Sequence, residues 1–344
     1  MRAAFYDAFE GSIEITQLPD PTPHPDGVVV RVAASGMCLS DWHGWKGHDP
    51  DITLPHVPGH ELAGTVAAVG ADVSQWRVGD RVTVPFVAGC GVCEDCRSGN
   101  AQVCADQFQP GFTGWGSFAQ LVALRYADRN LVLIPDEIQF VTGAILGCRF
   151  ATAFRAVVDR GGVGADTWVA IHGCGGVGLA SVMIAHAHGA RVVAIDPDGA
   201  ALAFAREMGA EVTIDAASPD TLVEAVQDAT SGGPHLSIDA VGLPAVVASS
   251  IRSLRRRGRH VQIGLLPANL TTVPMATVIG RELEILGSHG MQAHRYPAML
   301  DMIADGRLAP ERLVTRVIPL TELPEALPAM GHTHPPGVTV INRF

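Results

Sequence analysis

The stretch Gly173-Cys174-Gly175-Gly176-Val177-Gly178 constrains the fold of this chain more than any other. It follows the apolar run Trp168-Val169-Ala170-Ile171 and opens a helical pattern from Val177 to Gly189. Glycines spaced G-x-G-x-x-G between a strand and a helix permit a tight turn. They also let a pyrophosphate approach the backbone at the positive end of the helix. Downstream the pattern alternates, with strands predicted at 191–195, 211–214, 236–238, 260–263 and 283–286 and helices at 200–208, 219–229 and 244–254. Such alternation builds an α/β domain with a doubly wound parallel sheet and crossover helices. Asp196 ends the second strand, about 20 residues past the first glycine, where a carboxylate accepts hydrogen bonds from an adenosine ribose. Its charge would repel a 2′-phosphate, and Pro197, Asp198 and Gly199 bring no cation. NAD is therefore favoured over NADP, with Gly173, Gly175, Gly176, Val177, Gly178 and Asp196 as its binding residues.

The first third has a different texture. Short runs rich in β-branched residues, at 28–33, 65–69, 79–84 and 118–123, are bounded by Gly, Pro or Asp. They predict a barrel-like or partly closed sheet. Beyond Gly287, a helix at 296–304 and a strand at 338–341 return to that first domain. The expected organisation is a β-rich domain over 1–150 with a cysteine lobe at about 89–105, a dinucleotide-binding domain over 151–286 and a return segment over 287–344.

Seven cysteines lie at 38, 90, 93, 96, 104, 148 and 174. An odd number, behind an N-terminus without the apolar core of a signal peptide, makes a poor disulfide framework. Cys90-x2-Cys93-x2-Cys96-x7-Cys104 can close a tetrahedral thiolate shell around a structural zinc, leaving no site for water. Two disulfides, free thiols or an iron–sulfur cluster are the alternatives. Cys38, His60 of Gly59-His60-Glu61-Leu62-Ala63-Gly64, and Cys148 form a second set. A catalytic zinc keeps three protein ligands and one exchangeable position, and Cys2His is one such set. By spacing alone the three could equally be inert buried thiols and an ordinary polar histidine. Near Cys38, Ser40 and His43 could pass an alcohol proton to water, because imidazole titrates near neutrality. Asp41 could orient a ligating histidine, or belong to a polar loop.

Charge narrows the partners. The net charge of −11 provides no basic surplus for nucleic-acid phosphates. The one basic cluster, Arg252, Arg255, Arg256, Arg257 and Arg259, reads as a solvated face, a complement to a helix dipole or a subunit contact. No run of about 18 apolar residues predicts a membrane span, so a soluble cytoplasmic protein is expected.

Taken together these residues resemble the zinc-dependent medium-chain alcohol dehydrogenases. The family pattern G-H-E-x-x-G-x5-G-x2-V is matched by Gly59-His60-Glu61-x2-Gly64-x5-Gly70-x2-Val73. The resemblance spans essentially the whole chain. It implies a GroES-like β-rich catalytic domain beside the Rossmann domain, and two zincs per chain. Cys38, His60 and Cys148 would hold the catalytic zinc, and Cys90, Cys93, Cys96 and Cys104 the structural one. Glu61 would stand behind the metal and approach it during ligand exchange. Ser40 and His43 would form the proton relay, Asp41 would steady the ligating histidine, and Thr152 would meet the nicotinamide. The family's polyol branch puts a glutamate where Cys148 stands, which favours the alcohol branch. One departure concerns the basic residue that many relatives carry after the C-terminal glycine to contact cofactor phosphate. Here Val338 follows Gly337, leaving Arg343 as a substitute to consider.

The resemblance further implies hydride transfer between an alcohol and NAD, giving aldehyde or ketone, by a homodimer or homotetramer. Trp45, Phe86, Trp115 and Leu265 fall where relatives line the substrate cleft, which suggests an apolar or aromatic, primary or secondary alcohol. A polyol or threonine-type dehydrogenase of the same fold is the alternative activity, and a non-enzymatic cofactor-binding protein is the alternative class. No metal ligand is missing, which disfavours the latter and excludes a zinc-free enoyl or quinone reductase.

Overall fold

A computed structural model of the protein describes residues 1–216, 219–266, 272–332 and 335–344. The β-branched runs near the N-terminus form strands: β1 (Arg2–Phe5) and β2 (Glu14–Gln17) pair with each other. They are followed by β3 (Val28–Met37), β4 (Glu61–Val69), β5 (Arg81–Thr83), β6 (Leu121–Leu124) and β7 (Val132–Leu133). Alternate residues of β3, Val28, Val30 and Val32, turn one face into a core with Leu62, Val66, Val82, Val84, Val122 and Leu124. Val29 and residues 34–37 are buried as well, so most of this central strand is covered on both faces. Register shifts between β3 and β4, at Val29/Val30 and Val32/Ala34, bend the pair and help curl the sheet.

The dinucleotide-type sheet comprises β8 (Trp168–His172), β9 (Arg191–Asp196), β10 (Val212–Asp215), β11 (Leu236–Asp239), β12 (Arg259–Gln262) and β13 (Glu284–Gly287). All five pairings are parallel, in the order β10-β9-β8-β11-β12-β13. Every residue of β8 is buried, as expected of a central strand covered on both faces. Val169 and Ile171 pack with Leu179, Ala180 and Met183 of helix Gly176–Ala187. Trp168 and Ala170 face the other way, against Leu222 and Val226 of helix Pro219–Ala229.

The strands β14 (Val314–Pro319) and β15 (Val338–Arg343) pair in parallel, and β15 runs antiparallel to β3. The first sheet therefore reads β14-β15-β3-β4-β5-β7, with β6 also on β3. Strand β14 and helices Met275–Arg281 and Leu323–Ala329 carry weak local patterns and were not legible in the sequence.

Between the two sheets runs Phe140–Arg160, which is long and apolar enough to cross a membrane by length and composition. It is a core helix, because 83% of its apolar window is buried inside the protein. Its start packs on β3 and β4, and its later turns pack on helix Gly176–Ala187. Two of its turns, Leu146–Phe150 and Arg155–Arg160, widen to π geometry, a local distortion that is frequent at functional sites.

Candidate metal centre and dinucleotide site

Antiparallel pairing of β3 with β4 puts Gly36 opposite Glu61, so Cys38, just past one strand, and His60, just before the other, meet. Asp41 locks that meeting. One carboxylate oxygen accepts the Cys38 backbone N–H at 2.9 Å, and the other accepts His60 Nδ1 at 2.8 Å and the Gly59 N–H at 3.2 Å. With Nδ1 committed to Asp41, His60 presents Nε2, which is buried and without a hydrogen-bond partner. Cys148 arrives from the π turn of the core helix, held there by Gly147 O accepting the Phe86 N–H at 3.0 Å and Leu146 O accepting the Tyr296 hydroxyl at 3.0 Å. Ligand atoms of Cys38, His60, Glu61 and Cys148 lie within 4.8 Å of one another. Two thiols, one of them partly exposed, and a buried, orphaned imidazole nitrogen suit a zinc ion. Donors about 2.3 Å from a tetrahedral centre stand a little under about 4 Å apart.

The electrostatics suit a cation. A hydrogen bond from Cys148, then His60 and the charge of Arg149, hold the Cys38 thiol well below its ordinary range against its burial. Burial pushes the Glu61 carboxyl up, while the Arg149 guanidinium pulls it back. Arg149 donates to Glu61 through its backbone N–H at 2.8 Å, through Nε at 2.9 and 3.1 Å, and through Nη2.

The second cluster, Cys90, Cys93, Cys96 and Cys104, also lies within 4.8 Å. Its Sγ pairs include 3.5 Å for Cys104 to Cys90 and 3.6 Å for Cys93 to Cys104. Backbone N–H groups turn inward as donors to sulfur, Cys96 to Cys93 at 3.5 Å and Cys90 to Cys104 at 3.4 Å. Such amides, with that of Val92 foremost, lower the Cys90 thiol to about 7, near where a thiolate ligand forms. No water-sized opening is needed for four such ligands. Asn130 clamps the lobe by accepting the Gly89 N–H at 3.0 Å and donating to its carbonyl at 2.9 Å.

At the dinucleotide loop, a Cβ on Gly178 would fall inside the van der Waals radius of Gly173 O, so the helix packs directly on the loop. A Cβ on Gly175 would meet nothing within 4 Å, leaving open space above the loop for a phosphate. Asp196 accepts the Cys174 N–H at 2.7 Å and the Asp198 N–H at 2.9 Å, one on each oxygen. Each oxygen retains a lone pair for a ribose hydroxyl.

Ser40 Oγ lies 3.8 Å from Cys38 Sγ, beside the metal cluster. His43 is half-buried, and its Nδ1 pairs with Nδ1 of the exposed His48 at 2.9 Å. Burial, then the neighbouring His48, lowers its pKa. Thr152 Oγ1, one turn past Cys148, is buried without a partner. Of the four expected cleft residues, Phe86 has its ring 6.1 Å from that of His60. Trp45 donates to Gly11 O at 2.9 Å and is partly buried against the core cluster that includes Met37, Leu320 and Leu323. Trp115 donates to Pro55 O at 3.2 Å and lines a shallow depression with Met1 and Leu121 to Arg125. Leu265 is 75% exposed.

Sequence reasoning missed Phe112, whose ring is 5.1 Å from His60, and it missed Arg149 and His48. Arg149 was visible in principle. A lone charge inside Ile145-Leu146-Gly147-Cys148-Arg149-Phe150 must find a buried partner.

A metal-ready cluster of thiols and imidazole, a four-thiol lobe and a glycine-rich loop on a parallel sheet define a zinc- and NAD-dependent oxidoreductase. Comparison with known proteins agrees. Residues 24–136 match the alcohol dehydrogenase GroES-like domain, and residues 176–305 match the zinc-binding dehydrogenase domain. The chain is 30% identical to an alcohol dehydrogenase of Geobacillus stearothermophilus over 332 residues, covering 96% of each protein. It is 32% identical to D-arabitol-phosphate dehydrogenase of Enterococcus avium, covering 89% of this chain and 87% of that one. Its fold superposes on the alcohol dehydrogenase TADH of Thermus sp. ATN1 with a TM-score of 0.92 and 28% identity, over 100% of both chains. The chain belongs to the zinc-dependent medium-chain alcohol dehydrogenase family.

Proposed function

We propose that the protein oxidises a primary or secondary alcohol of apolar or aromatic character to its aldehyde or ketone, with NAD as hydride acceptor. Cys38, His60 and Cys148 hold the catalytic zinc, and Cys90, Cys93, Cys96 and Cys104 hold the structural one. Bound there, zinc supplies a Lewis acid that makes an alcohol proton easier to lose. Asp41 fixes the His60 tautomer, so that Nε2 faces the metal position. Ser40, beside Cys38, receives the alcohol proton. His43, kept neutral by its lowered pKa, takes that proton on toward solvent. Gly173, Gly175, Gly176, Val177 and Gly178 seat the pyrophosphate, and Asp196 seats the adenosine ribose. Thr152 offers its unpaired hydroxyl to the nicotinamide end. Held there, NAD would supply the two-electron acceptor for the hydride that the alcohol carbon gives up.

The single observation that carries this reading is the enclosed His60 Nε2, unpaired and within 4.8 Å of two thiols. The apolar preference rests on Phe86 and Phe112, whose rings flank His60. The proposed division is 1–150, 151–286 and 287–344. It is supported by β15 leaving the second sheet behind to pair with β3. The outer edge of β13 and exposed Ile279, Ile285 and Met275 support a homodimer or homotetramer. Seven unpaired thiols support a reducing, cytoplasmic setting.

The test is zinc per chain, measured beside NAD reduction with primary, secondary, benzylic and polyol alcohols. Two zincs with turnover on apolar alcohols support the reading. One zinc without turnover, or turnover confined to polyols, overturns it.

A further inference from the structure

The strongest unassigned feature is the buried pair Arg149 and Glu61. Glu61 is fully buried, and its carboxylate falls within the same 4.8 Å group as the ligand atoms of Cys38, His60 and Cys148. Carboxylate oxygen is an ordinary zinc ligand, so nothing in distance alone keeps Glu61 from filling the fourth position. A shell of Cys2HisGlu would be closed, with no place for an alcohol. What turns the carboxylate aside is Arg149, the residue that follows Cys148. Three of its donors, the backbone N–H, Nε and Nη2, engage both Glu61 oxygens. Arg149 lies in the π turn that also delivers Cys148, and Gly36 leaves room for the pair. A Cβ at residue 36 would run into Glu61 Oε2 and would come within 2.9 Å of Arg149 Nη2.

The same side chain reaches the dinucleotide loop. A Cβ on Gly176 would stand 2.7 Å from Arg149 Cδ and 3.4 Å from Nη1. Nη1 makes no hydrogen bond to the described residues. One guanidinium therefore joins the metal-side carboxylate to the start of helix Gly176–Ala187. A planar fork of fixed donors is suited to holding a carboxylate in one orientation, as a lysine point charge is not.

We propose that Arg149 is a positioning residue that holds Glu61 out of the zinc shell and so keeps the fourth coordination position open. This rests on the metal reading given above. The prediction for Arg149→Met is a carboxylate freed to become a fourth ligand. Release of the catalytic zinc to a chromogenic chelator should slow by about 10- to 100-fold, the range that changes around metal ligands produce. The zinc of the four-cysteine lobe should leave at the wild-type rate and serves as the internal control. In the cobalt-substituted enzyme the visible absorption bands should change in Arg149→Met, because they report the ligand set. The double variant Arg149→Met/Glu61→Gln removes both buried charges together. It should recover the wild-type release rate and spectrum, and it guards against loss of folding through an unpaired carboxylate. Arg149→Lys, which keeps the charge but loses the fork, should fall between.

Catalytic zinc leaving Arg149→Met or Arg149→Lys as fast as it leaves the wild type would overturn the proposal. Slow release that persists in the double variant would overturn it too, since Glu61 would then not be the added ligand. A wild-type protein carrying zinc only in the four-cysteine lobe would overturn the metal reading itself, which is a separate failure.

Discussion

His172 ends β8 immediately before the glycine-rich loop, 1% exposed, with neither ring nitrogen hydrogen-bonded. Burial, and secondarily His260, pull its pKa from 6.5 down to about 3. In the unfolded chain the ring takes up a proton as pH falls below 6.5, whereas in the folded chain it stays neutral until about 3. The unfolded state therefore binds more protons across that window. The stability held by the neutral ring is complete above the unfolded pKa and is lost as pH falls toward the folded one. Each pH unit inside the window costs about 1.4 kcal/mol, so acidification from neutrality to about pH 4 removes on the order of 3 kcal/mol through this residue alone. The perturbation is His172→Leu, which fills a similar volume, cannot titrate and leaves no polar atom unpaired. Denaturant midpoints of both proteins, taken at intervals from pH 7.5 to about pH 4, give the comparison. His172→Leu should match or exceed the wild type at neutral pH, and its advantage should grow by roughly 1.4 kcal/mol per unit below about pH 6. Parallel curves for the two proteins would refute the reasoning, because the ring would then be protonated in the folded state as easily as in the unfolded one.

Three other perturbations test the sites. Gly178→Ala should push the helix start away from Gly173 O and weaken NADH binding by about tenfold or more, ~1.4 kcal/mol, read by fluorescence titration, and an unchanged affinity would remove the loop from the cofactor site. Asp196→Asn retains an acceptor for the Cys174 N–H but removes the charge. It should move the NAD to NADP ratio of kcat/KM toward NADP by about tenfold, a charge-assisted hydrogen bond being worth about 1.5–3 kcal/mol, and an unchanged ratio would remove Asp196 from the ribose site. Cys93→Ala should lower the melting temperature and release one zinc per chain while sparing specific activity at low temperature, so an equal loss of turnover would contradict a purely structural lobe.

Much of the dinucleotide half was legible because its signals are local. Helix 219–229 begins and ends where the pattern put it, as does helix 296–304 in the return segment, and six parallel strands follow the apolar runs. The four-cysteine lobe was equally plain, since all four ligands fall within fifteen positions. Strand β14 escaped notice, because its burial comes from pairing with β15 and not from an alternating pattern of its own. The surroundings of the cleft candidates were not legible: that Phe86 stands beside His60, and that the indole N–H groups of Trp45 and Trp115 bond Gly11 and Pro55, is announced by no local pattern.

By itself the sequence determined which chemistry was available: two thiols and a histidine free of any local framework, a glycine loop of fixed spacing and an acid at the next strand end. These depend on residue identity and near-neighbour geometry, which the chain carries wherever it folds. Only the tertiary structure decided that Cys38, His60 and Cys148, up to 110 positions apart by their numbers, would converge. It also decided that Asp41 would turn His60 Nε2 inward and that Arg149 would take the Glu61 carboxylate. The reason is physical: such contacts are set by strand register and by a π turn in a helix packed between two sheets, and neither is written in the residues they bring together.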